Sequence, residues 1–98
     1  MLRFDMRAPE IGAPTVQLYS AATEMCAWAE NHGALAAVLC EHHGSADGFL
    51  PAPIVAAAAI VGRTRRAGVS ISALLAPLHD PVRVAEDLAV LDLLSEGR

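Results

Sequence analysis

An α/β fold on a parallel sheet is what this sequence predicts, and three observations carry the prediction. An apolar run without alternation, residues 34–40, and a second stretch in which Val, Ile and Leu return, residues 69–75, are separated by stretches in which apolar residues recur at helical spacing. The resulting order is strand, helix, strand, helix, strand, helix, and such switching of period argues for right-handed βαβ units. The composition, 54% hydrophobic and only 18% charged, excludes a disordered tail and calls for cover on more than one face of the elements.

Each element has a local reason. Residues 2–6 alternate around Phe4 and Met6 and read as a short first strand, with Arg3 and Asp5 between them. Pro9 to Pro14, with Gly12, form a loop. From Thr15 the positions Leu18, Tyr19, Ala22, Met25, Cys26 and Ala29 follow the three-and-four spacing of an amphipathic helix, which Pro14 and Thr15 start and Gly33 stops. Residues 34–40 are apolar throughout and too short for an independent helix, the pattern of a strand buried on both faces. Turn chemistry in Gly44-Ser45-Ala46-Asp47-Gly48, then Pro51 and Pro53, leads into a helix over residues 54–66. Its Arg63, Arg65 and Arg66 suit the negative end of the helix dipole. Residues 69–75 read as a second buried strand, ended by Pro77. Asp80-Pro81 then supplies an N-cap and a first-turn proline for a helix with Val82, Ala85, Ala89 and Leu93 on one face.

Several function classes are disfavoured by the totals. A chain of 98 residues has room for one hydrophobic core, so residues 1–98 are read as one domain. A net charge of −4 offers no basic field for phosphate backbones, which argues against nucleic acid as a partner. The apolar run from Ile54 to Val61 falls well short of the roughly 20 residues that cross a bilayer. An acid at Asp5 interrupts the region where a secretion signal would be apolar. Cys26 and Cys40 lack CxxC spacing and sit among alanines as small buried hydrophobes do, which indicates a reducing, cytoplasmic setting. Neither the GxGxxG fingerprint nor a P-loop occurs.

In parallel βα architectures, chemistry comes from the C-terminal ends of strands and the loops after them. Glu41-His42-His43 follows the second strand and Leu78-His79-Asp80 follows the third, so these histidines gather at one rim. Neighbouring residues of an extended segment point to opposite sides, so one of His42 and His43 faces a pocket and the other is structural. A histidine there serves as a general acid or base near neutral pH, or it merely satisfies loop backbone groups. Glu41, His42, His43, His79 and Asp80 could also ligate a metal, but their spacing matches no standard zinc pattern. Tyr19 and Trp28 lie on the first helix, where aromatic rings usually pack a core. Arg83, Glu86 and Asp87 read as a solvated or locally paired helix face.

Leu39-Cys40-Glu41-His42-His43, followed by a glycine-containing loop and Pro51-Ala52-Pro53, resembles the Glu-His-His segment of bacterial luciferase-like monooxygenases. A second stretch, from Pro77-Leu78-His79-Asp80-Pro81-Val82-Arg83 through Ala85-Glu86-Asp87 and Leu91-Asp92 to Ser95-Glu96-Gly97-Arg98, is similar to a longer motif of the same family. Both motifs occur in order and at matching spacing.

The resemblance covers essentially the whole chain and implies the N-terminal three βα units of a (β/α)8 barrel. It also implies reduced FMN, or in a related branch a deazaflavin, acting on a small organic substrate. By similarity His42 matches the family's active-site histidine, which assists proton transfer. Ser72 and Ala73 match the place where the family often carries a non-prolyl cis peptide against the flavin. Family members run to several hundred residues, so the later strands that usually hold the cofactor phosphate are expected to be missing here. On that reading the chain is inactive alone, and its open sheet edges call for another copy or a complementing chain. The alternative is a non-catalytic assembly module that pairs through those edges.

Overall fold

The computed structural model describes residues 1–98. Strand β1 (Leu2–Phe4), helix α1 (Thr15–Glu30), strand β2 (Ala36–Leu39), helix α2 (Pro53–Arg63), strand β3 (Gly68–Ile71) and helix α3 (Pro81–Ser95) follow in that order, with a 3-10 turn at Ala76–Leu78. The strands form one parallel sheet in the order β1-β2-β3. Three βα units on a parallel sheet are the predicted architecture.

Register decides which residues form the core. Leu2 and Phe4 lie beside Ala37 and Leu39, which in turn lie beside Val69 and Ile71. Side chains alternate along a strand, so these six share one face. Ala37 and Leu39 are buried there with Ala22 and Cys26 of α1 and Ala57 and Ile60 of α2, and Phe4, Val69 and Ile71 pack against them. The opposite face carries Arg3, Val38 and Ser70 in register, and Arg3 and Ser70 are exposed. The expectation that the second and third strands are buried on both faces is therefore corrected: cover comes from one side only. In a closed barrel the open face is the one that turns inward.

All three strands are shorter than the apolar runs suggested. β1 stops at Phe4 because Met6 adopts a left-handed conformation, with φ of 61°, that cannot continue a strand. β3 stops at Ile71, well before Pro77, and the Ser72-Ala73 peptide beyond it is cis. A cis bond at that position is what the resemblance implies.

The helices show where local signals competed with tertiary ones. α1 ends as read, with Gly33 at φ 89° and the Ala34 N–H donating back to the Ala29 carbonyl. Within it, Ala22, Cys26 and Ala29 are buried, but Met25 is exposed. Trp28 is 65% exposed and stacks on His32 instead of entering the core. α2 ends at Arg63, three residues earlier than expected, because Thr64 is extended and the next three N–H groups turn to a carboxylate on α1. Only Arg63 remains in the last turn, and its guanidinium pairs with Glu24 at 2.8 Å. In α3 Asp80 caps as predicted, accepting from the Val82 and Arg83 N–H groups at 3.0 Å. Its predicted apolar face is corrected: Val82, Ala85, Ala89 and Leu93 are exposed, and Ser95 is the buried residue. Arg83 pairs with Asp87 one turn on, as the charge pattern suggested.

Candidate active-site rim

Three chain segments meet where the strands end. The segment after β1 runs through Asp5, Met6 and Arg7; the one after β2 runs from Cys40 to Leu50; the one after β3 runs from Ser72 to His79. Backbone bonds tie them together. Leu50, fully buried, donates its N–H to the Asp5 carbonyl at 2.9 Å and accepts from the His42 N–H at 2.9 Å. The Ser72 N–H donates to the Leu39 carbonyl at 2.7 Å.

Glu41 organises this rim. Its side chain is 0% exposed, and its Oε2 accepts from the Leu75 N–H at 2.6 Å. Its Oε1 accepts from His43 Nε2 at 2.9 Å and from His79 Nε2 at 2.7 Å. Burial pushes the carboxyl upward, but the Leu75 N–H and the two imidazoles outweigh it and hold the group below the usual carboxylate range. A buried carboxylate without such donors would be costly.

His42 has a different environment. Its ring is exposed, makes no hydrogen bond within the chain and stacks on Phe49 with centroids 3.7 Å apart. The Arg7 guanidinium lies 5.3 Å from the Phe49 ring centre, on a side chain that Asp47 anchors at 2.7 Å. Asp47 is held below the usual carboxylate range, first by the Ser45 hydroxyl and then by Arg7. The rings of His42 and His43 thus take different partners, in line with the argument that adjacent residues diverge.

Ser72 and Ala73 are both exposed at the same rim. Both side chains are small, so the backbone at this point of the rim carries little cover of its own. No group of three His, Cys, Asp or Glu side chains is arranged to hold a metal ion. Asp80 is committed to its helix cap.

The sequence reading included Glu41 only among possible metal ligands and missed Phe49, Arg7 and Leu75. The available signal was a lone acid directly after a buried strand, flanked by Cys40 and two histidines. A groove of about 310 Å³ follows the free edge of β1, between Phe4, Met6, Leu18 and Met25, and none of the rim histidines lines it.

A family model described as luciferase-like monooxygenase matches residues 4–98. The chain belongs to this family. Among curated relatives, the alkanal monooxygenase alpha chain of Photorhabdus luminescens is 43% identical over 60 residues, covering 61% of this chain and 17% of the relative. The alkanal monooxygenase beta chain of Aliivibrio fischeri is 43% identical over 58 residues, covering 59% of this chain and 18% of that one. The matched segment therefore spans less than a fifth of either relative's length. Among solved structures, monooxygenase RslO1 from Streptomyces bottropensis superposes with a TM-score of 0.90 at 26% identity, covering 99% of this chain and 30% of that one. The oxygenating constituent of 3,6-diketocamphane monooxygenase from Pseudomonas putida, a type II Baeyer-Villiger monooxygenase in complex with FMN, has the same fold. Its TM-score is 0.84 at 22% identity, covering 98% of this chain and 26% of that one.

Proposed function

We propose that this chain supplies the flavin-facing and proton-handling part of a flavin-dependent monooxygenase that acts on a small organic substrate. The observation that carries the proposal is the joint presence, at one rim of a chain of this family, of the exposed His42 and the small, exposed Ser72 and Ala73. FMN is the preferred cofactor because a solved relative of the same fold holds it; a deazaflavin is the alternative. When bound, a reduced flavin supplies the electrons that activate oxygen.

The chain's own residues then have distinct tasks. Ser72 and Ala73 offer an open backbone surface for the ring system, and small side chains there avoid a clash. His42, held flat by Phe49, transfers a proton as a general acid or base near neutral pH. Glu41 ties the His42 segment to the Leu75 segment and so keeps these groups in one arrangement. We place the protein in the cytoplasm, where thiols such as the buried Cys26 and Cys40 stay reduced. No helix is long and apolar enough to cross a membrane.

The test is a titration of the purified chain with oxidised and reduced FMN, followed by flavin fluorescence. Saturable binding at micromolar flavin, weakened several-fold by His42→Ala, is expected. Failure of the folded chain to bind either form overturns flavin binding by these residues alone.

A second reading, an assembly role with another copy or a complementing chain, draws on the exposed α3 face, where Leu93 is 78% exposed. Light scattering of the chain across a concentration series tests it: a constant monomer mass argues against self-association.

A further inference from the structure

Glu41 offers its Oε1 to two rings at once, and that geometry carries information about protons. An ionised carboxylate only accepts hydrogen bonds, so His43 and His79 must each carry their hydrogen on Nε2, the atom that faces Glu41. In a neutral imidazole the other nitrogen is then the acceptor. Neither Nδ1 has a hydrogen-bond partner in the chain, and the two side chains are 44% and 28% exposed.

We infer that Glu41 is a positioning residue that sets the tautomer of His43 and His79 and makes the Nδ1 of each ring an outward-facing proton acceptor. These two bases are distinct from His42, whose ring is oriented by stacking and has no carboxylate behind it. The ligand class they fit is a hydrogen-bond donor with an ionisable O–H or N–H. Such a donor gives its proton to Nδ1, the imidazole becomes imidazolium with N–H groups on both sides, and the donor keeps the electron pair. The Glu41 carboxylate faces the new positive charge through the Nε2–H. This assignment stands on the chain's own geometry and holds whether or not a flavin binds.

The same structure provides an internal control. His32 places Nδ1 2.7 Å from the Trp28 carbonyl oxygen, which only accepts, so His32 must be the Nδ1–H tautomer.

Long-range proton–nitrogen correlation spectra of the uniformly nitrogen-15-labelled full chain, recorded above the histidine titration range, read these states directly. The expected pattern is Nε2–H for His43 and His79 and Nδ1–H for His32. In Glu41→Gln the Leu75 N–H, which only donates, claims the amide oxygen. The amide NH2 then faces the rings, so both lose the Nε2–H pattern while His32 keeps its own. An Nδ1–H pattern at His43 or His79 in the unaltered chain overturns the inference. So does an unchanged Nε2–H pattern in a Glu41→Gln chain whose His32 signal shows it to be folded. If that variant does not fold, the unaltered chain's spectrum decides alone.

Discussion

The two ends of the sheet are each organised by one buried carboxylate, and the difference between them separates scaffold from chemistry. At the end where the strands begin, Glu30 of α1 accepts from the Arg65, Arg66 and Ala67 backbone N–H groups at 2.8 to 3.1 Å. Arg98 locks the same end, donating to the Thr64 hydroxyl at 3.0 Å and to the Ala67 and Val61 carbonyls at 3.1 and 3.2 Å. Every donor to the Glu30 carboxylate is a main-chain N–H that cannot change protonation. At the other end Glu41 takes one backbone N–H and two imidazoles, which can. One carboxylate staples the chain; the other holds groups that accept, donate and reorient. This matches the division in parallel βα architectures, where the strand starts carry stability and the strand ends carry chemistry.

The largest effect is expected where both ends depend on one residue. Leu39 is 1% exposed and sits on the central strand between them. Leu39→Ala should cost about 2–5 kcal/mol in a denaturant melt and broaden amide signals at both ends. Loss confined to one end would show that the two are not joined through β2.

A smaller and pH-restricted effect distinguishes the carboxylates. The Ala67, Arg66 and Arg65 N–H groups lower the Glu30 pKa to about 2 from an ordinary 4.5, against some opposing desolvation. A depressed folded-state pKa means that the contribution is fully present above the ordinary value and is lost as pH falls through the folded one. The melting temperature should therefore drop between about pH 4.5 and pH 2, and Glu30→Gln should flatten that part of the curve. An identical acid slope in Glu30→Gln would assign the loss to other groups.

The smallest effect belongs to a pair at neither end. Arg83 and Asp87 form an exposed pair one helical turn apart, and Arg83→Ala should change stability by less than about 0.5 kcal/mol in the same melts. A larger change would mean that α3 depends on its surface charges more than on Asp80 and its packing against α2.

Much of this molecule was legible in the linear order of residues. Period switching located every strand and helix; Gly33, Asp80 and Pro81 marked helix ends through backbone preferences that act within a few residues. The two motifs identified the family, and the place of the cis peptide followed from the resemblance. Local rules failed where a distant group intervened. Helical propensity would carry α2 on to Arg66, but the Glu30 carboxylate takes the N–H groups of residues 65–67. Apolar spacing pointed Val82 and Leu93 inward, but α3 presents another side to α2.

The sequence by itself determined element order, the parallel sheet and the gathering of histidines at one rim, because these follow from short-range periodicity and the rule that strand ends carry loops. Only the tertiary structure decided that Glu41, rather than a histidine, is the centre of that rim. A carboxylate becomes a hub only when residues 34 and 38 positions away are brought within hydrogen-bond distance of it, and no spacing along the chain encodes that approach.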